Sequence, residues 1–354
     1  MKKIAIFQSD LHVGGITRSL INLLSVLPSD EYDIDLFIFS EGVFFKDKLN
    51  ENVHLYILPR SSKLYKYLPF YFVEKIYAPE IDLNKEYDIA IDYNSFWHEC
   101  SIGALKVNAK KRVMWLHSDI IAKEKVEFRY RVVWNLQYRK IKQFDEFVAV
   151  STGVKNSFYK AARGADRKKK VRVINNIVDA KDIIEKSKKY VEQIIDNNKY
   201  NIVCVGHLGK EKGIDILIKF FNEAYKIRKD ITLYIIGDGP ERRSIEKMIN
   251  DFQISDSVFL LGNIENPFPY EKQMDAFALT SRYEGQGIVL WEAKVLGLQI
   301  IMSTNLEKYN DGIIGTANII SAIVNAKKME KNNDMLEEYN QRIKNSIEEL
   351  FSNG

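Results

Sequence analysis

Two glutamates in the stretch "SRYEGQGIVLWEAKVLG", residues 281–297, have a spacing that would let them hold one ligand at two points. Glu284 and Glu292 flank a glycine-bounded turn, Gly285-Gln286-Gly287, and an apolar run that is typical of a helix follows this turn. The run "AFALTS" before the turn is typical of a strand. Since carboxylates accept hydrogen bonds, both glutamates are candidates for binding hydroxyl groups.

The turn also creates a helix N-terminus, where backbone N–H groups have no partner within the helix. The amides of Gln286, Gly287 and Ile288 would crown this helix and point at an anion. Carboxylates beside an anion site make sense when the ligand carries hydroxyls as well as phosphates, as a nucleotide-sugar does. A structural alternative is that a glutamate only complements the helix dipole. This alternative explains Glu284 but not Glu292.

Two junctions in the first half of the chain also place polar or flexible residues at strand ends. Gly14 and Gly15 in "QSDLHVGGITRSL" precede a helix, where glycines let the backbone approach a ligand, although many such glycines only allow the turn. His117 closes the apolar run "RVMWLH" and is predicted at the carboxyl edge of a sheet, where ligands bind. A satisfied structural histidine is the equally weighted alternative.

The stretch "VGHLGKEKGID", residues 205–215, presents His207, Lys210 and Lys212 between a strand and a helix. The ammonium group of Lys212 would place a point charge on a phosphate. A surface lysine in a charged loop is the alternative.

Short β-branched runs alternate with longer helical periodicities, first over residues 1–175 and again after residue 200. This alternation predicts an α/β chain with parallel sheets covered by helices. We predict two Rossmann-like domains that face each other across a cleft, residues 1–178 and 179–338. A C-terminal helix, residues 339–354, is expected to pack back on the first domain. The polar stretch "VDAKDIIEKSKKYVEQIIDNNKY" is the candidate join.

The composition is that of a globular protein: of 354 residues, 46% are hydrophobic and 28% are charged. Cys100 and Cys204 are far apart and belong to no metal-binding motif, so we expect a reducing cytoplasm and no zinc site. The apolar run at the N-terminus is too short for a signal peptide, and no apolar run is long enough to span a membrane.

The net charge is uneven, because residues 1–175 carry +8 and the remainder carries −4, which gives +4 overall. A basic first half fits an anionic surface or ligand, and equally an ordinary solvated face. Within it, "RSSKLYKYLPFYFVEKIY", residues 60–77, interleaves bases with aromatic residues. This stretch either lies on an anionic membrane or, as we favour because Pro69 interrupts it, covers the core.

The chain resembles the retaining glycosyltransferases of the GT-B fold, in the large family four. The resemblance spans nearly the whole chain. It is carried by "GGITRSL", "VAVSTGVKNSF" and "VINNIVD" in the first domain and, in the second, by "VGHLGKEKGID", "YIIGDGPER", "FLLGN" and "NPFPYEKQMDAFALTSRYEGQGIVLWEAKVLG".

The resemblance implies a role for each matching position. In the first domain Gly15, beside Gly14, would approach the diphosphate and the donor sugar, and His117 would contact that sugar near its reacting carbon. In the second domain the implied roles are Lys212 and position 207 for the diphosphate, the backbone of Leu261 and Gly262 for the base, Glu284 for sugar hydroxyls and Glu292 for the ribose.

The sequence departs from the family pattern in three places. His207 stands where an arginine is usual, so either its imidazole is protonated beside the diphosphate or another base, Lys210 or Arg282, compensates. Gln286 replaces an apolar residue, which would change the sugar pocket. The segment after "GLQIIMS" is short, which leaves open how the site closes.

The resemblance implies transfer of a sugar from a nucleotide diphosphate, most simply UDP, to a hydroxyl with retention at the anomeric carbon and without a metal cofactor. We expect a lipid-linked glycan acceptor in bacterial surface polysaccharide synthesis, at the inner face of the cell membrane, and no nucleic-acid partner. A sugar-nucleotide epimerase and a weakly active partner subunit remain alternatives. A nicotinamide enzyme is disfavoured because no GxGxxG motif follows the first strand.

Overall fold

The computed structural model describes residues 1–12, 14–40, 46–60, 62, 64–192 and 195–352. Twelve strands form in these residues: β1 (Lys2–Gln8), β2 (Tyr32–Ile38), β3 (Val53–Ile57), β4 (Glu86–Asp92), β5 (Asn108–Leu116), β6 (Glu146–Ala149), β7 (Lys170–Val173), β8 (Tyr200–Val205), β9 (Ile231–Ile236), β10 (Val258–Gly262), β11 (Ala276–Leu279) and β12 (Gln299–Met302).

The same residues form thirteen α-helices: α1 (Gly15–Ser25), α2 (Phe70–Ile76), α3 (His98–Lys106), α4 (Ile120–Val126), α5 (Phe128–Gln137), α6 (Thr152–Ala161), α7 (Ala180–Ser187), α8 (Ile214–Ile227), α9 (Arg242–Asp251), α10 (Phe268–Glu271), α11 (Ile288–Val295), α12 (Ile319–Val324) and α13 (Glu337–Ser352).

The chain divides into two compact units, Met1–Ile177 with Glu338–Gly354, and Val178–Glu337. The first unit contains a parallel sheet with the strand order β3-β2-β1-β4-β5-β6-β7 in the described residues. Its central strands β1 and β4 are buried on both faces over most of their length, as a sheet with helices on both sides requires. Helix α13 belongs to this unit, and the side chains of Ile347, Leu350 and Phe351 lie in its core.

The second unit contains a parallel sheet with the order β10-β9-β8-β11-β12 among the described residues. The strand order reverses between β8 and β11, which are hydrogen-bonded neighbours although 70 residues of chain separate them. Ligands of open α/β sheets bind outside the carboxyl ends of the strands at such a reversal. The loops that leave β8 and β11 are therefore the ones positioned to build a site.

The elements differ from the sequence prediction in a few places. The four-residue strands β7 and β12 were not predicted, and the polar stretch at 178–200 contains α7, which belongs to the second unit. Both cysteines are buried and unpaired. In the described ranges, no helix combines the length and the apolar character needed to cross a membrane.

Candidate functional site

Lys212 and Glu284 form an ion pair at the strand-order reversal of the second unit. The Lys212 Nζ atom lies 2.8 Å from Glu284 Oε1 and 3.0 Å from Oε2, so one ammonium group contacts both oxygens of the carboxylate. The Ser281 hydroxyl donates a third hydrogen bond to Oε1 at 2.7 Å. The Glu284 side chain is 9% exposed and that of Lys212 is 23% exposed, so the pair is largely shielded but open on the lysine side.

The loop after β8 and the turn after β11 are joined by contacts that bring this pair together. The Thr280 hydroxyl donates to the Gly213 carbonyl oxygen at 3.0 Å, and the Arg282 amide donates to the Glu211 carbonyl oxygen at 2.8 Å. Gly213 has a φ of 61°, and a β-carbon at this position would lie 2.3 Å from the Thr280 carbonyl oxygen. Only glycine therefore fits where the two segments touch.

The charge state of Lys212 follows from two opposed effects. Burial disfavours the ammonium form, but the nearby Glu284 carboxylate more than offsets this, and the pKa of Lys212 is raised above its usual value. Lys212 is therefore a fixed positive charge at neutral pH. In the described structure Glu284 balances that charge.

Three glycines at adjacent strand ends form a surface without side chains, which we call the glycine shelf: Gly206 after β8, Gly237 after β9 and Gly262 at the end of β10. A β-carbon on Gly237 would lie 1.9 Å from the Gly206 carbonyl oxygen, and the Gly237 amide donates to the Gly262 carbonyl oxygen at 2.7 Å. The strand pairing is irregular between Leu260 and Gly262, around Leu261. The three glycines are half-buried, and the close approach of the Gly206 backbone explains why position 237 is glycine.

The N-terminus of α11 differs from the sequence prediction. The Gly287 amide donates to Asn310 Oδ1 at 3.0 Å, and the Ile288 amide donates to the Gln286 carbonyl oxygen at 3.0 Å. Asn310 is fully buried. The prediction that these two amides point at an anion is therefore wrong, because buried protein groups already accept their hydrogen bonds.

The other predicted residues of the second unit differ in exposure. Glu292 lies in the second turn of α11 and is buried, as is Gln286. His207 and Lys210 are exposed on the loop after β8. Arg282 makes two hydrogen bonds of 2.8 Å to the Asp215 carboxylate, so its charge is already balanced. Lys210 and Arg282 are the two bases suggested to compensate for His207. Within the described residues, Arg282 is bound to a carboxylate and Lys210 is not.

Gly14, Gly15 and His117 lie in the first unit. Both glycines are exposed at the N-terminus of α1, with no atom within 4 Å of a β-carbon placed on either. His117 directly follows β5, and its ring centroid lies 4.7 Å from that of Tyr93. Burial lowers the pKa of His117 to about 3, against a weaker opposing hydrogen bond that the ring donates to the Tyr93 backbone, and Nε2 has no partner among the described residues. His117 is therefore a neutral imidazole with one uncommitted nitrogen.

A possible metal-ligand group lies elsewhere in the first unit. Within the described residues, Asp33, Asp35 and His54 are the one set of at least three such side chains whose ligand atoms lie within 4.8 Å of one another. However, Lys85 Nζ lies 2.6 Å from Asp35 Oδ2 and the Tyr87 hydroxyl donates to the same oxygen at 2.5 Å. These partners balance the buried carboxylate, so the group is explained as an ion-pair cluster.

Two family models match successive parts of the chain. The model for Glycosyltransferase Family 4 matches residues 13–182, and the model for Glycosyl transferases group 1 matches residues 185–348. The chain is a family-four glycosyltransferase.

Individual relatives agree with this family. An uncharacterized glycosyltransferase of Methanocaldococcus jannaschii is 25% identical over 382 residues, covering 96% of this chain and 92% of the relative. The Campylobacter jejuni N-acetylgalactosamine-N,N'-diacetylbacillosaminyl-diphospho-undecaprenol 4-alpha-N-acetylgalactosaminyltransferase is 29% identical over 133 residues, which is 38% of this chain and 34% of that enzyme.

A solved structure extends the likeness to the fold. Anabaena HepE in complex with UDP and glucose matches with a TM-score of 0.67 and 19% identity, over 98% of this chain and 99% of that one. The predicted GT-B fold with two Rossmann-like domains is thereby confirmed for the transferase.

Sequence reasoning missed several residues of the transferase's site. Asn310 and Ser281 hold the turn after β11, and Asp215 holds Arg282. Arg242 at the start of α9 has its Nη1 atom 3.8 Å from a β-carbon placed on Gly262. Asp215, Arg242 and Ser281 had a usable signal, because each lies in a stretch that carries the family resemblance, whereas Asn310 lies in none of these stretches.

Proposed function

We propose that the transferase moves a sugar from a UDP-sugar to a hydroxyl of a lipid-linked glycan, with retention at the anomeric carbon, in the synthesis of a surface polysaccharide. The observation that carries this proposal is the Lys212–Glu284 pair beside the glycine shelf. A fixed cation next to bare backbone suits a diphosphate, and a carboxylate beside it suits sugar hydroxyls.

In this proposal the bond between the anomeric carbon and the β-phosphate oxygen breaks, and negative charge grows on the departing UDP. Lys212 stabilises that charge. Glu284, already ordered by Lys212 and Ser281, accepts hydrogen bonds from the hydroxyls of the sugar. The acceptor oxygen forms the new bond on the face that the diphosphate leaves, and the proton of the acceptor hydroxyl passes to the departing phosphate oxygen. Gly15, beside Gly14, and the neutral imidazole of His117 are the proposed contributions of the first unit, near the donor sugar.

The rest of the donor is assigned to the second unit. Glu292 is proposed to bind the ribose, the backbone of Leu261 and Gly262 the base, and His207 the diphosphate. Gln286, which is buried next to the turn, is proposed to face the sugar pocket. No anion-binding role is proposed for the Gly287 and Ile288 amides, whose hydrogen bonds are made within the protein.

The relatives support the choice of donor and acceptor. Anabaena HepE, which shares the fold, was crystallised with UDP and glucose. The name of the Campylobacter jejuni relative includes a sugar carried on diphospho-undecaprenol, which is a lipid-linked glycan.

A donor screen by thermal unfolding tests the proposal. We expect UDP and one UDP-sugar from a panel of UDP-glucose, UDP-galactose and their N-acetylamino forms to raise the unfolding temperature. At a hundredfold excess over the dissociation constant the stabilisation would be about 2.7 kcal/mol. Stabilisation by ADP or GDP in place of UDP would contradict the uridine assignment, and no stabilisation by any nucleotide would contradict the donor site.

Replacing Glu292 by alanine should weaken the binding of UDP itself by about tenfold, because contacts with the ribose exist before and during the reaction. Calorimetry with UDP measures this change. Glu265→Ala, which removes a carboxylate from an exposed position in the loop after β10, is the matched control and should bind UDP normally. An unchanged affinity in Glu292→Ala would remove the ribose role from Glu292.

Membrane contact through the first unit is the second part of the proposal. Helix α2 begins directly after Pro69 and buries Phe70 and Val73, while Tyr71 and Phe72 on its other side are 47% and 46% exposed. Phe128 at the start of α5 is 70% exposed. The sequence stretch 60–77 thus covers the core with one face and leaves aromatic rings on the other. Its residues Ser61 and Lys63 lie outside the described residues.

Exposed bases accompany these rings. Lys75 lies on α2, Arg131 lies on α5, and the Arg139 guanidinium lies 5.0 Å from the centre of the Tyr71 ring. Aromatic residues with Lys and Arg nearby are the combination that binds anionic membrane surfaces.

We expect the full chain to float with vesicles of phosphatidylglycerol and phosphatidylcholine in low salt and to be released near 1 M salt, where the Debye length is about 3 Å. Phe72→Ser with Phe128→Ser should reduce flotation, whereas Ile227→Ser, which removes a 69% exposed side chain from the second unit, should not. Flotation that resists salt would indicate binding by apolar insertion alone. Absence of flotation in low salt would end the membrane proposal.

A further inference from the structure

We infer that Arg242 recognises the base of the nucleotide and so helps to set which nucleotide the transferase accepts. This inference rests on the proposed function, because it takes Lys212 as the site of the diphosphate. It concerns the opposite end of the glycine shelf.

The two ends of the shelf each carry one cation. A β-carbon on Gly206 would lie 3.7 Å from Lys212 Cε, and one on Gly262 would lie 3.8 Å from Arg242 Nη1. Gly206 and Gly262 follow β8 and β10, which are separated by β9 alone. Since neighbouring strands lie about 4.8 Å apart, the two ends are roughly 10 Å apart. That span suits a nucleotide whose diphosphate meets Lys212 and whose base meets Arg242.

The guanidinium of Arg242 is held in a defined orientation. Its Nε atom donates to Glu246 Oε1 at 2.9 Å, and Nη1 lies 3.7 Å from Asp238 Oδ2. Within the described part of the chain, Nη2 has no hydrogen-bond partner, and the side chain is 31% exposed. The hydrogen bond to Glu246 therefore orients the group, the Asp238 carboxylate lies near it, and one edge is left available.

A planar guanidinium beside bare backbone is suited to a heterocyclic base. Arginine stacks on flat aromatic groups and also donates hydrogen bonds to carbonyl oxygens, and a pyrimidine base such as uracil offers both. The competing explanation is that Arg242 only forms helix-surface ion pairs with Glu246 and Asp238. Such exposed pairs contribute little to stability, and their loss would not affect ligand binding.

Calorimetry with UDP and, separately, with inorganic pyrophosphate at millimolar concentration distinguishes the two explanations. We expect Arg242→Gln to raise the dissociation constant for UDP by about tenfold and to leave that for pyrophosphate within about twofold. Arg243→Gln is the matched control, because Arg243 is the exposed neighbour on the same helix and carries the same charge. It should change neither dissociation constant.

Arg242→Lys provides a second variant in case the glutamine variant does not fold. It keeps the positive charge but replaces the planar guanidinium with an ammonium group. It should lose most of the UDP affinity that Arg242→Gln loses. Normal UDP binding by either folded variant would overturn the inference, and so would an equal loss of UDP and pyrophosphate, which would place Arg242 at the phosphates.

The failure of the inference differs from the failure of the proposed function. If the unmodified protein binds UDP and Lys212→Ala does not, while Arg242→Gln binds normally, only the role of Arg242 is wrong. If the unmodified protein does not bind UDP, both are wrong.

Discussion

Replacing Lys212 by alanine is expected to lower turnover by more than about tenfold, because it removes the charge proposed to meet the departing diphosphate. Two features of the structure lead us to expect a large effect of this substitution. The Nζ atom is fixed by both oxygens of Glu284, and the raised pKa of Lys212 keeps it charged throughout the neutral range. Release of UDP from the UDP-sugar that stabilises the protein most, with water or an added glycan as acceptor, measures the turnover.

The variant must be separated from a protein that is merely destabilised. Without Lys212, the Ser281 hydroxyl is the one hydrogen-bond donor that the described residues still offer to the buried Glu284 carboxylate, and an unpaired buried charge costs stability. The double variant Lys212→Ala with Glu284→Gln removes both charges and should regain stability without regaining turnover. Lys219→Ala, at an exposed position on α8, is the control for loss of a positive charge. Normal turnover in a folded Lys212→Ala variant would show that Lys212 does not act on the departing diphosphate.

A separate comparison concerns Lys210, on the same loop as Lys212. Lys210 is exposed and was suggested to compensate for His207. If Lys210→Ala lowers turnover as much as Lys212→Ala, the charge at the diphosphate is shared between them. We expect the loss in Lys210→Ala to be the smaller, because the Lys210 side chain is exposed whereas both oxygens of Glu284 hold Lys212 in place.

The sequence was sufficient to predict most of the fold, because both sheets are parallel and their central strands are buried on both faces. Strands such as β1 and β9 are continuous apolar runs, and the helices between them have clear amphipathic spacing. The strands β7 and β12 have four residues each and too few positions to establish a period. They form by pairing with β6 and β11, so their existence depends on the sheet and is not encoded in the segment alone.

The sequence predicted the strand ends at which Lys212 and Glu284 lie, but not that their side chains meet. Lys212 and Glu284 are 72 positions apart, and their pairing depends on β8 and β11 being neighbours. Likewise, Asn310 lies 23 positions beyond the Gly287 amide that it binds. A helix N-terminus has unpaired amides within its own segment, so an anion site was a reasonable prediction. Whether a side chain from elsewhere already accepts those bonds is decided by tertiary packing.

We expect Gly237→Ala, a substitution in the glycine shelf, to lower the free energy of unfolding by more than about 3 kcal/mol. The added β-carbon would lie 1.9 Å from the Gly206 carbonyl oxygen, and φ at Gly237 is 137°, which disfavours any L side chain. Because the clash is with backbone, no side chain can move aside to relieve it. The two strand ends must separate, which also strains the hydrogen bond from the Gly237 amide to Gly262. Denaturant unfolding followed by circular dichroism measures the loss.

Gly312→Ala separates the clash from the strain of a positive φ. Gly312 lies in the same unit with a φ of 92°, and the nearest atom to an added β-carbon is Trp291 Cη2 at 3.9 Å, an ordinary contact. This control should therefore lose only about 1–2 kcal/mol, the cost of the backbone conformation. UDP should still stabilise Gly312→Ala, but not Gly237→Ala, since the separated strand ends would no longer present a continuous shelf between Lys212 and Arg242. Equal losses in the two variants would mean that the strand ends part easily, and a shelf that yields in this way would not hold a nucleotide in a fixed position.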